Sequence, residues 1–255
     1  MIGLLDSGLG GLTVVRRVRE RMPDADLVFF ADQAHVPYGP RTPDDLHDLL
    51  VQNLLWLEAR DLDAIVIACN TSCAIADRYG WPATRAPIFD LIDSATVALR
   101  GSDARRIGVV ATAATVRSGA YGRRIRDAIP GSEVVEIAAP ALVPLVEAGE
   151  IEGDAARAAV ADVCANLPAD VDTVVLACTH YPILDAHFQA VLGPSVVRID
   201  PALVQADRVA AFLGERGASG SGTTEYVTNG DEALFRRNIA RLMPGSATAL
   251  VTPAL

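Results

Sequence analysis

One segment of this chain is written twice. Asp63-Ala-Ile-Val-Ile-Ala-Cys69-Asn70-Thr71 aligns with Asp172-Thr-Val-Val-Leu-Ala-Cys178-Thr179-His180. A second pair, Ile2-Gly-Leu-Leu-Asp6-Ser7 and Ile107-Gly-Val-Val-Ala111-Thr112, recurs in the same order and at similar separation. Every copy is an aliphatic run that stops at polar side chains. Such runs suit the buried strands of a parallel sheet, and their recurrence argues two related units in one chain.

The remaining pattern extends this reading. Leu27–Phe30, Val134–Ile137 and Val196–Ile199 are further short aliphatic runs, and helix-like stretches such as Thr13–Arg21, Pro43–Arg60 and Ala155–Asn166 lie between the runs. Alternation of this kind predicts an α/β fold. Hydrophobic residues make up 51% of the 255 residues but aromatics only 5%, so the cores must be mostly aliphatic. The expected architecture is two similar doubly wound parallel-sheet lobes related by a pseudo-twofold, with an active site between them. Residues 1–95 with 200–255 form the first lobe and 96–199 the second. The tail is read as a helix to about Gly214, a Gly/Ser-rich loop at 217–222, a strand Thr223–Thr228 and a helix Glu232–Leu242, all packing back on the first lobe.

Charge and composition exclude several function classes. The net charge is -10, which gives no general attraction to nucleic acid or anionic membranes. All 22 basic residues are Arg. A pyridoxal phosphate enzyme needs a Lys for its Schiff base, and a P-loop needs its own Lys. The Arg16, Arg17, Arg19, Arg21 and Arg123, Arg124, Arg126 clusters read as solvated helix faces. The start, Met1 to Asp6, lacks a basic leader pattern, and no apolar run is long enough to span a bilayer. The expected compartment is therefore the cytoplasm, with the four Cys residues reduced. Cys69 and Cys73 have no second pair of ligands in sequence, so no metal site is expected.

Ligands of open α/β sheets bind beyond the carboxyl ends of the strands. Four polar motifs fall there: Asp6-Ser7-Gly8, Cys69-Asn70-Thr71, Thr112 with Thr115, and Cys178-Thr179-His180. Two equivalent lobes facing each other would bring Cys69 and Cys178 to opposite sides of one ligand. Inverting a stereocentre by proton transfer needs a base on one face and an acid on the other, and a thiolate with a thiol can do both. Helix N-termini after both cysteines would favour the thiolate. Asp6 and His180 are candidates to tune the pair. Cys73 and Cys164 lack this context and read as core residues. Gly8-Leu9-Gly10-Gly11 fails the dinucleotide pattern, because Thr13 occupies the third glycine position. It reads instead as a turn into a helix, with backbone N–H groups free to approach a small carboxylate.

These motifs, with His35-Val-Pro-Tyr38-Gly39 and Leu142-Val-Pro-Leu-Val-Glu147, resemble those of glutamate racemases in the aspartate/glutamate racemase superfamily. The resemblance covers most of the chain. It implies interconversion of L-glutamate and D-glutamate without a cofactor, supplying peptidoglycan synthesis. It implies that Cys69 acts on the D-isomer and Cys178 on the L-isomer. It also implies that Asp6, Ser7, Tyr38, Gly39, Asn70, Thr71, Thr179 and His180 bind substrate, and that Thr112 and Thr115 meet the side-chain carboxylate. Asp32 and Glu147 match acidic positions linked to the site, and a homodimer is implied by many family members. The chain departs from the pattern at Gln33, which would alter the cleft wall, and at Ala177 beside Cys178. A racemase of another acidic amino acid such as aspartate, and a non-catalytic binding or regulatory homologue, are the alternative readings.

Overall fold

The computed structural model describes residues 1–214, 220–243 and 250–253; the first half of the loop expected at 217–222 lies outside them. Ten strands are found among the described residues: β1 Ile2–Asp6, β2 Leu27–Ala31, β3 Ala64–Ile67, β4 Ile88–Phe89, β5 Arg106–Ala111, β6 Glu133–Ala138, β7 Thr173–Ala177, β8 Val197–Ile199, β9 Thr224–Thr228 and β10 Leu250–Pro253. They form two parallel sheets, one ordered β10-β9-β2-β1-β3-β4 and the other β6-β5-β7-β8. Four strands of the first sheet, β2-β1-β3-β4, have the same spatial order as the whole second sheet. The repeat is thus a repeat of topology, with β1 equivalent to β5 and β3 to β7.

Register sets what each strand end presents. Leu5 pairs with Ile67, and the Ala68 N–H donates to the Leu5 carbonyl at 2.7 Å, so Cys69 follows directly beside Asp6. In the second sheet Ala111 pairs with Ala177, which brings Thr112 and Cys178 to the same level. β1, β2, β3 and β7 are buried along their whole lengths, as parallel strands covered by helices on both faces must be.

The strands of the second sheet divide their side chains between two cores with the period-two alternation of a pleated strand. Ile107, Val109, Ala111, Val175 and Ala177 join the large core of the first sheet. Val110, Val174 and Leu176 face a smaller cluster around Tyr181, Leu184 and Phe188. One hydrophobic body therefore runs through both lobes.

The tail completes the first sheet. β9 pairs with β2, Leu27 beside Thr224, and the helix Pro201–Gly214 packs on the helices Gly11–Arg21 and Leu91–Arg100. Buried Gln205 donates its amide to the carbonyls of Ile67 at 3.0 Å and Phe89 at 2.9 Å, satisfying the last residues of β3 and β4. The early arginine cluster departs from its reading as a solvated face. Arg16 and Arg21 are exposed, but Arg19 reaches the carbonyls of Pro23, Ala25 and Thr223, each at 2.7 Å. It ties the turn after its helix to the chain entering β9. Arg123, Arg124 and Arg126 are exposed. No helix among the described residues is long and apolar enough to cross a membrane.

Candidate active site

The carboxyl ends of β1, β3, β5 and β7 open on one cavity of about 440 Å³. Asp6, Ser7, Tyr38, Gly39, Cys69, Asn70, Thr71, Thr112, Cys178, Thr179 and His180 all line it. Thr115 lies behind this wall, fully buried. Both cysteines are buried, with relative exposures of 4% and 5%, and both are free thiols.

On the first-lobe side, Cys69 is the residue before the helix Asn70–Tyr79. Its Sγ lies 3.6 Å from Ser7 Oγ. Asp6 Oδ1 accepts from the Ser7 N–H at 2.7 Å, and its other oxygen accepts from Thr179 Oγ1 at 3.2 Å. Burial raises the Asp6 carboxyl to about 6, against the opposing pull of His180 and the surrounding N–H donors. Burial, reinforced by the Asp6 charge, pushes the Cys69 thiol up to about 12. The helix N-terminus expected to favour a Cys69 thiolate is present, but desolvation outweighs it, as it does for fully buried groups generally.

The second-lobe side is built differently. Cys178 is followed by a 3-10 turn, Tyr181–Leu184, rather than the expected α-helix N-terminus. Pro182 has no N–H and fits the first turn of such a segment, and the α-helix begins only at Asp185. In place of a helix end, Cys178 Sγ has His180 Nδ1 at 3.7 Å. Nε2 of the same ring is 2.6 Å from Glu147 Oε1. Burial opposes protonation of His180, but its bonds to Cys178 and Glu147 and their charges push its pKa well above the usual histidine value. The ring thus bridges a sulfur and a carboxylate, and both contacts favour its protonated form.

Three threonines join the lobes at the cavity wall. Thr71 Oγ1 is 3.0 Å from Thr112 Oγ1 and 3.4 Å from Thr115 Oγ1, and the last two are 3.0 Å apart. Asn70 accepts from the buried Tyr121 hydroxyl. Tyr38 donates to Asp32, and Asp32 is itself buried and bonded to His35, Asn53 and Asn229. Asp32 therefore holds the Tyr38 wall from outside the cavity, and Glu147 likewise acts through His180.

Two sequence expectations change. Gly8–Gly11 does not line the cavity. A Cβ on Gly10 would stand 2.3 Å from Thr179 Oγ1 and 2.5 Å from His180 Nδ1, so this glycine lets one lobe's turn press on the other's strand end. Gln33 faces away from the cleft, accepting from Thr228 Oγ1 at 2.9 Å. Arg117 and an apolar wall of Ala113, Pro140, Val143 and Pro144 also line the cavity and were not singled out from sequence. The available signal for Arg117 was a lone charge two residues after Thr115. Among the described residues, no cluster of three or more His, Cys, Asp or Glu side chains could hold a metal ion.

Residues 12–209 match the family model described as Asp/Glu/Hydantoin racemase. A glutamate racemase of Synechococcus sp. (strain CC9605) is 43% identical over 85% of this chain and 81% of its own length. The crystal structure of glutamate racemase isoform RacE1 from Bacillus anthracis superposes with a TM-score of 0.92 at 26% identity, covering 100% of this chain and 97% of that one. A Francisella tularensis glutamate racemase in complex with D-glutamate gives 0.91 at 26% identity, with the same coverage.

Proposed function

Because this chain belongs to the Asp/Glu/hydantoin racemase family, we propose that it interconverts L-glutamate and D-glutamate by two-cysteine proton transfer. The observation that carries this reading is the arrival of two buried thiols, from equivalent strand ends of two lobes, at one cavity. The relatives' names and the D-glutamate held by the Francisella protein support the substrate.

Cys178, with His180 Nδ1 at 3.7 Å, takes the α-proton of L-glutamate as a thiolate. The electron pair of the broken C–H bond stays on Cα, delocalised into the carboxylate. Cys69 is held as a thiol by burial and the Asp6 charge, and it delivers its proton to the opposite face. The product is D-glutamate, with the proton now on Cys178 and the negative charge on Cys69. The reverse reaction starts from that state, and Asp6, raised to about 6, is matched to return a proton to Cys69 near neutral pH. Asp6 and Ser7 face the substrate ammonium, and the threonines Thr71 and Thr112 face the distal carboxylate. The chain's own side chains make every proton transfer. The product would enter cell-wall synthesis in the cytoplasm, as in the family. We assign 1–95 with 200–255 to one lobe and 96–199 to the other on the strand orders, and a homodimer on the family resemblance.

The test is incubation with L-glutamate in D2O, following α-deuterium and D-isomer together, with L-aspartate as a parallel substrate. Both signals are expected from glutamate. Cys69→Ala and Cys178→Ala should each abolish racemisation; full activity in either variant would overturn the two-base mechanism. Turnover of aspartate alone would move the substrate assignment.

A further inference from the structure

A second cavity of about 300 Å³ lies beside the first, and Arg117 is on the wall of both. Four guanidiniums line it, those of Arg41, Arg78, Arg117 and Arg123, over an apolar floor that includes Leu46 and Ile75. None of its lining residues is acidic. In a chain of net charge -10, this is a local reversal of sign.

One of these arginines is neutralised from within the described structure, and three are not. Arg123 pairs with Asp77 at 2.7 Å. Arg41 donates to the His35 carbonyl at 2.7 Å. Arg78 lies 5.2 Å from the Tyr79 ring centroid. Arg117 donates to the Gly39 carbonyl at 3.0 Å and approaches that of Arg41 at 3.5 Å. Three of the four thus have carbonyl or aromatic partners and no carboxylate among the described residues. Like charges gathered around one concavity repel, and an anion seated among them removes that cost. Planar guanidinium forks match the geometry of phosphate and carboxylate oxygens.

We propose that this cavity binds a small oxyanion that regulates the neighbouring substrate cavity through Arg117. The shared chemistry is a compact dianion, whether phosphoryl or dicarboxylate. Arg117 secures the Gly39 carbonyl, and residues 36–40 form part of the substrate cavity wall. An anion that draws the guanidinium toward the second cavity releases that segment and raises KM for glutamate.

The test titrates pyrophosphate, and separately succinate, into the full chain by calorimetry at constant ionic strength. Saturable binding is expected for at least one probe, and the tighter one identifies the source. Arg78→Gln and Arg123→Gln should each weaken it by about tenfold or more, the worth of one charge-assisted hydrogen bond. Their KM and kcat without anion should stay at the wild-type values, and the anion-induced rise in KM should disappear. Absence of binding, or binding that both substitutions leave intact, would overturn the proposal. The heat of binding does not depend on turnover, so failure of the racemase reading would show separately.

Discussion

Asp6 and Cys69 stand beside each other in a site that favours the neutral form of both, and the cost of ionising them is measurable as stability. The Asp6 carboxyl is raised from 3.8 to about 6, so between those values the folded chain holds a proton that the unfolded chain releases. Stability therefore falls as pH rises through this window. The shift corresponds to roughly 3 kcal/mol at neutral pH. Asp6→Asn should flatten this part of the stability profile and leave the protein at least as stable as wild type at pH 7, while racemisation collapses. Urea denaturation from pH 4 to pH 7 checks this, and an unchanged slope would remove Asp6 as its source. At this scale the sequence was legible where polar residues end aliphatic runs, because such residues must face a cleft. It was silent on Arg117, whose place depends on how a helix of one lobe meets a loop of the other.

Elements were legible to the extent that burial leaves a pattern. β1, β2, β3 and β7 are covered on both faces and so read as unbroken aliphatic runs. β4 has only two residues, Ile88–Phe89, too few to show any period. The turn after Cys178 was misread because the repeat with Cys69 concealed a local difference: Tyr181–Leu184 winds as a 3-10 turn and the α-helix starts only at Asp185. Gln205 shows an element held by one side chain. Gln205→Leu should remove the amide donors to Ile67 and Phe89, leaving the Ile67 carbonyl with the weaker Cys73 thiol at 3.8 Å, at a cost of about 1 to 3 kcal/mol. Chemical denaturation should show the midpoint moving with the slope unchanged; a neutral result would mean that water or another donor replaces the amide.

For the whole molecule, two lobes do not mean two folding units. The large core takes Ile107, Val109, Ala111, Val175 and Ala177 from the second sheet, so losing either sheet exposes the other. A single calorimetric transition is expected, with calorimetric and van't Hoff enthalpies equal; two resolved transitions would show that the shared core is not energetically continuous. The repeated strand order carries a further consequence. It places the two sulfurs at equivalent positions, yet one has a carboxylate neighbour and the other an imidazole ring. Enantiomers in an achiral solvent have equal free energies, so the equilibrium constant of the proposed reaction is unity. The Haldane relation then forces kcat/KM to be the same from either hand of the substrate. Unequal neighbours cannot make this catalyst favour one direction. Their difference can appear only as unequal kcat and KM that compensate each other, so a chemically lopsided site obeys a kinetic mirror.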